Sequence, residues 1–381
     1  MTFGRPYRGV RTETELTMIH TLPLHSAQTT LGACSRCEAL PAALAGPGTL
    51  HLQFPLSHSR GKILGWLREA GRTFEVAGET ISIEAAEVSL DWVADFARTL
   101  SSTERADARV LWQAEGAPLS IGELFKVETL DAFAARTHSE WLTTMLSNNR
   151  LATWFQPIVD CADPKKIFAY ECLMRGQDET GVVFPDRILE VARGAGLMFQ
   201  LDRAARLASI RNAARLSLKG AIFINFTPTS IYDPEYCLRS TMGAIEETDI
   251  PPSDIVFEVI ESERITDAKH LRGILEYYRE RGFRVALDDV GSGYSSLSML
   301  GSLRPDFLKL DRELVSGVHA DPYKGTIAAK LLETARALGV KTVAEGVEEA
   351  AEFEWLCANG TDYVQGYYFA RPSANPPVSF E

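Results

Sequence analysis

The side chains that could do chemistry gather where short apolar runs end. Asp288 and Asp289 stand together after the apolar run Val285–Leu287 and before the glycine-rich stretch Gly291-Ser292-Gly293. Two adjacent carboxylates at a strand end repel one another and are costly to desolvate without a counter-charge. A pair of divalent cations meets that demand and prepares hydrolysis of a phosphate ester. The plainer alternative at this one place is an exposed acidic turn capping a helix at Ser292 or Ser295. The pattern recurs, however. Glu171 lies late in a candidate strand, Asn225 ends another, and Glu258 and Glu261 close a third. Lys309 and Asp311 end a fourth, Glu345 follows a fifth, and Gln365 lies within the last. Carboxylate and amide oxygens suit Mg²⁺ or Mn²⁺ rather than zinc.

The elements that must position these groups follow from periodicity. From residue 150, apolar strand candidates alternate with amphipathic helices. The strands are Thr153–Val159, Ile167–Met174, Ala221–Asn225, Ile255–Ile260, Val285–Leu287, Phe307–Leu310, Thr342–Ala344 and Tyr363–Phe369. Eight strands alternating with helices predict an α/β fold of the TIM-like (β/α)8 barrel kind, whose strand ends converge on one mouth. An open doubly wound sheet has the same periodicity. Residues 1–120 predict a smaller α/β N-terminal domain after a poorly ordered lead-in. It has a strand at His51–Phe54, a helix over Lys62–Ala70, a hairpin from Thr73–Val76 to Thr80–Ile83, a helix over Ala85–Leu100 and a strand at Arg109–Gln113. Residues 121–149 read as a helical connector, with Ser120 and Glu123 at capping-box spacing. The barrel then spans 150–381.

The net charge of −12 argues against a nucleic-acid polymer as partner, since phosphate binding at scale needs a basic face. No apolar run reaches membrane-spanning length and Met1–Arg11 lacks the apolar core of a signal peptide, so a cytoplasmic location is expected. Cys161, Cys172, Cys237 and Cys357 stand singly and read as reduced thiols. Cys34 and Cys37 can be half a zinc site completed by His20, His25, His51 or His58, a redox pair, or two free thiols in a turn.

Residues 150–381 resemble the EAL domain, the cyclic di-GMP phosphodiesterase family. The motifs that carry the resemblance occur in family order: Phe155-Gln156-Pro157-Ile158-Val159, Glu171-Cys172-Leu173-Met174-Arg175, Asn225-Phe226 and Glu258-Val259-Ile260-Glu261 come first. Asp288-Asp289-Val290-Gly291-Ser292-Gly293-Tyr294-Ser295-Ser296-Leu297, Lys309-Leu310-Asp311, Ala344-Glu345-Gly346-Val347-Glu348 and Gln365-Gly366-Tyr367 follow. Cys172 replaces the usual alanine, and Val290 replaces the usual phenylalanine. The resemblance implies hydrolysis of cyclic di-GMP to linear pGpG with two divalent cations, Mg²⁺ or Mn²⁺, and a homodimer through the barrel. By it, one cation is held by Glu171, Asn225, Glu258 and Asp288, the second by Asp288, Asp289 and Glu345. Lys309 handles the attacking water, Gln156, Arg175 and Gln365 hold substrate or water, and Glu261 fixes the loop after Asp289. An ion pair of Lys309 with Asp311 is the structural alternative. The rival function is a cyclic di-GMP receptor without turnover.

Overall fold

The computed structural model describes residues 34–380 apart from 35–36, 42–46, 86–89, 180, 229–230, 232, 261–267 and 292–295. The lead-in before residue 34, with His20 and His25, and the metal-loop residue Glu261 therefore lie outside the described residues. Five strands form the N-terminal sheet: β1 Gly48–Gln53, β2 Phe74–Ala77, β3 Thr80–Ala85, β4 Arg109–Ala114 and β5 Glu128–Thr129. Their order is β2-β3-β1-β4-β5 and every pairing is antiparallel. Helix Ser57–Glu69 links β1 to β2, and helices Trp92–Ala97 and Ser102–Asp107 link β3 to β4, a split β-α-β arrangement of the ferredoxin-like kind. Alternation places Leu50, Leu52, Ile81 and Ile83 in its core with Leu130, Phe133 and Ala134 of helix Leu130–Thr137. The next helix, Glu140–Ser147, packs instead with barrel residues such as Val183 and Ile188. The long helix expected over Ala85–Leu100 is shorter, and Ser101 caps the following helix in a complete capping box with Glu104.

The second sheet holds β6 Leu151–Asp160, β7 Ile167–Asp178, β8 Gly181–Val183, β9 Ala221–Phe226, β10 Ile255–Ile260, β11 Arg284–Val290, β12 Phe307–Leu310, β13 Lys341–Ala344 and β14 Tyr363–Val364. The order is β6-β14-β13-β12-β11-β10-β9-β7-β8, and β6 also pairs β7. Eight strands thus close into a barrel with β8 added outside on β7. From β7 through β9 to β14 neighbours are parallel. The first strand departs from the expected uniform alternation: β6 is antiparallel to both neighbours. The connection 161–166 is far too short for a crossover helix, which needs about a dozen residues. The last strand is also shorter than the expected Tyr363–Phe369, so Gln365 lies just beyond its end. There the chain turns tightly against the segment after β13, and a Cβ at Gly366 would meet the Val347 carbonyl at 1.9 Å; only glycine permits that approach.

The expectation of free thiols at Cys161 and Cys357 is overturned, because the two form a disulfide with Cα atoms 5.6 Å apart. Antiparallel pairing of β6 with β14 brings them together: Cys161 N–H donates to Asp362 O at 3.0 Å. A sequence separation of 196 residues concealed this. Among the described residues, no helix is long and apolar enough to cross a membrane.

Candidate active site

The barrel interior has a floor of Ile158, Ala169, Phe223, Val256, Ala286, Phe307 and Val343, with Tyr363 packed against it. Side chains two residues apart on a strand share a face. One step from the floor toward the mouth therefore gives, strand by strand, Gln156, Glu171, Asn225, Glu258, Asp288, Lys309, Glu345 and Gln365. On β6 the step runs backward in sequence because that strand is reversed. Register sets Glu171 opposite Gln156 and Glu258 opposite Asn225, while the stagger of the parallel strands sets Glu258 opposite the floor residue Ala286 and Lys309 opposite Val343. Seven of the eight were picked out as strand-end polar groups and Gln156 through the family motif, and alternation sets all eight one step above the floor.

Asp289 needs a separate device, since consecutive strand residues point to opposite faces. Its φ is +57°, and the β11–β12 register shifts between Leu287 and Val290. Left-handed backbone is uncommon outside glycine, asparagine and aspartate, and the irregularity turns Asp289 so that ligand atoms of Asp288, Asp289 and Glu345 all lie within 4.8 Å of one another.

Lys309 is fully buried at the centre. Its ammonium contacts Glu258 and lies 2.5 Å from Glu345, 3.0 Å from Asp288 and 3.8 Å from Glu171. Asp311 takes a different part: its carboxylate accepts the Glu313 N–H at 2.7 Å and caps the next helix, while its own N–H donates to Val290 O at 3.1 Å. The electrostatics are unbalanced, with five carboxylates around one ammonium. Burial pushes Glu258 and Glu345 well above the usual carboxylate range, with Asp288 and Glu171 adding repulsion and Lys309 only partly opposing it. Burial, then Asp288 and Asp311, push Asp289 up to about 6. Burial alone would depress Lys309, but Asp288, Glu171, Glu258 and Glu345 outweigh it and hold the ammonium well above its ordinary value.

Among the described residues, Glu258 Oε2 receives no hydrogen bond, while Glu258 Oε1 and Glu345 Oε1 share the single Lys309 ammonium. A buried acceptor without a donor, excess negative charge around one ammonium and an all-oxygen donor set fit hard divalent cations. Gln365 Nε2 donates to Glu171 Oε2 at 2.5 Å and to Gln156 Oε1 at 3.0 Å, and Gln156 Nε2 donates to Ala370 O at 3.1 Å. These amides orient Glu171 on the side away from Lys309. Arg175 stands apart from the layer. Its guanidinium lies 4.8 Å from the Trp154 ring centre and 5.5 Å from that of Phe184, and donates to Met174 O. Arg312 was missed in the sequence. It pairs with Glu348 at 2.8 Å and lines a cleft with Gln156, Glu171, Glu345, Gln365 and Tyr367. The signal available was its place directly after Lys309-Leu310-Asp311.

Barrel and mouth together define an α/β-barrel protein with a carboxylate-rich centre. The EAL domain profile matches residues 139–372, more than half of the chain, and the chain belongs to that family. It is 32% identical over 244 residues to the probable cyclic di-GMP phosphodiesterase PdeG of Escherichia coli, covering 62% of this chain and 47% of that protein. It is also 32% identical over 244 residues to the cyclic di-GMP phosphodiesterase NbdA of Pseudomonas aeruginosa, covering 61% of this chain and 30% of that protein. The chain thus spans less than half the length of these curated relatives. A standalone EAL protein of Vibrio cholerae, solved in its c-di-GMP-bound form, is 37% identical with a TM-score of 0.55, covering 60% of this chain and 95% of that one.

Proposed function

We propose that this chain is a metal-dependent phosphodiesterase that opens cyclic di-GMP to linear pGpG, under control of its N-terminal domain. The observation that carries the reading is the layer of eight converging residues with Lys309 buried among carboxylates that outnumber it. The names of the relatives in E. coli and P. aeruginosa, and the ligand of the V. cholerae structure, support the substrate. Glu171, Asn225, Glu258 and Asp288 would hold one divalent cation, and Asp288, Asp289 and Glu345 the second. When bound, Mg²⁺ or Mn²⁺ supplies positive charge for the phosphate and acidifies water. With the carboxylates engaged by cations, Lys309 would lose their pull, which would lower its affinity for a proton and suit it to take one from attacking water. Gln156 and Gln365 orient Glu171 and water, and Arg175, held against Trp154, presents charge to the substrate. Homodimerisation through the barrel and a cytoplasmic site of action belong to the same reading. Resolving the nucleotides after the full chain is mixed with cyclic di-GMP tests it. Accumulating pGpG supports it; cyclic di-GMP that is bound yet recovered intact favours the receptor reading.

Protons and cations compete for the same carboxylates. Because the folded chain raises Asp289 to about 6, and raises Glu258 and Glu345 as well, the metal-free fold binds more protons than the unfolded chain. Its stability from these groups is present at low pH and declines as pH rises from the ordinary carboxylate range, about 4, through about 6. Cations reverse that loss. The rise in Tm on adding Mn²⁺ is therefore expected to be larger at about pH 7.5 than at about pH 5. Thermal unfolding at both values checks this, and an equal rise at both contradicts it.

Helix Leu130–Thr137 supports the proposed control by the N-terminal domain. Leu130 and Phe133 sit in the sheet's core, while Ala135 faces the barrel helix Pro185–Gly194 so closely that a Cβ at Gly194 would lie 2.9 Å from its own. A chain of residues 139–381 is expected to fold, bind metal and turn over substrate at an altered rate. Kinetics and oligomeric state identical to the full chain would reduce the domain to localisation. A folded, metal-bound but inactive barrel would mean that it completes the site.

A further inference from the structure

Far along the chain from the barrel mouth, the pair Cys34 and Cys37 meets a third thiol. Cys237, on helix Pro234–Glu246, lies so that one sulfur from each residue falls within 4.8 Å of the others. Cys37 and Cys237 are buried and Cys34 is half-buried. The turn that carries the pair is built on the barrel wall. Glu38 N–H donates to Cys34 O at 2.9 Å and Cys34 N–H to Glu38 Oε2 at 3.2 Å. Glu38 Oε1 lies 3.6 Å from Arg203 Nε, and Gln200 Nε2 donates to Ala39 O at 2.9 Å.

We infer that Cys34, Cys37 and Cys237 bind a thiophilic d¹⁰ cation of the zinc class, which staples Cys34, Cys37 and Glu38 to the barrel wall. Sulfurs ligating one Zn²⁺ at about 2.3 Å in a tetrahedron stand roughly 3.8 Å apart, so the observed cluster closes on an ion with small side-chain movement. Three soft donors on one point select such a cation over Mg²⁺ or Mn²⁺, which prefer oxygen. The ion-bound cluster would carry three thiolates against a double positive charge. Loading releases the thiol protons. Neither a redox pair nor free thiols in a turn calls for Cys237 at the same point.

The full chain, reduced and stripped of metal, is titrated with Co²⁺ and then Zn²⁺. One Co²⁺ per chain is expected to give intense near-ultraviolet thiolate-to-cobalt absorption, and Zn²⁺ bleaches it. Even outer-shell partners change metal affinity by roughly 10–100-fold, so Cys37→Ser and Cys237→Ser should each weaken Zn²⁺ by more than about tenfold. Cys34→Ser, at the half-buried position, supplies a second ligand loss if a core variant fails to fold by circular dichroism. Asp288→Asn should leave this absorption intact, because oxygen ligands do not produce it. Absence of the band in the reduced wild type, a band unchanged by the cysteine substitutions, or a Cys34–Cys37 disulfide that forms readily with Zn²⁺ present would overturn the assignment.

Discussion

Asp288→Ala is expected to abolish hydrolysis of cyclic di-GMP while leaving the fold intact. Asp288 is shared by both proposed cation sites, lies 3.0 Å from Lys309 and belongs to the cluster with Asp289 and Glu345. Losing one preorganised electrostatic contact at an active site costs roughly 10²–10³ in rate. Losing a ligand common to two cations should cost more, since metal affinity itself depends on ligand charge and number. Glu171→Ala, which removes a partner of both Lys309 and Gln365, should have a similar effect. Stability should move differently. Asp288 repels Glu258, Asp289 and Glu345, so without metal the Asp288→Ala chain should melt no lower than wild type. Turnover assays at saturating Mn²⁺ alongside thermal unfolding check both halves. Near-wild-type turnover by the folded, metal-replete variant would remove Asp288 from the site.

Lys309→Ala is expected to lower turnover by about 10²–10⁴, the range of a lost general base, with cyclic di-GMP binding largely retained. An interaction with attacking water matters mainly in the transition state, so binding and rate should separate. Lys309 is also the ammonium that contacts Glu171, Glu258, Asp288 and Glu345 at once. Breaking a buried ion pair by removing one partner costs about 3–5 kcal/mol. The metal-free variant should therefore melt well below wild type, and Mn²⁺ should recover much of the difference. Calorimetric binding with single-turnover kinetics tests the first point, and unfolding with and without Mn²⁺ the second. Loss of binding with unchanged chemistry would contradict the role given to Lys309.

The layer at the mouth was legible in the sequence because it obeys local rules. Each strand is short and apolar, and period-two alternation carries a floor residue such as Ala286 or Val343 to a polar one, Asp288 or Glu345, two positions on. Other features were not read from the sequence. The reversed β6 follows from the connection 161–166, too short for a crossover, a cue that the expectation of uniform alternation passed over. The disulfide Cys161–Cys357 and the meeting of Cys237 with Cys34 and Cys37 join residues about two hundred positions apart, where spacing conveys nothing. The buried pair of Arg206 with Asp202 at 2.7 Å was also hidden, since a helix bearing both reads as a solvated charged face. Yet Asp202 accepts the Thr227 N–H at 3.0 Å and so holds the segment just beyond Asn225.

The most direct test of the account is turnover of cyclic di-GMP as a function of cation loading in the full chain. The protein is stripped with chelator, then titrated with Mn²⁺ while bound metal and linear product are measured together. The account predicts no product from the stripped chain, and hydrolysis that develops as the carboxylate site fills with two cations and is absent from the Asp288→Ala variant at the same loading. Hydrolysis that persists in chelator, or a fully loaded chain that binds cyclic di-GMP and never cleaves it, would contradict it.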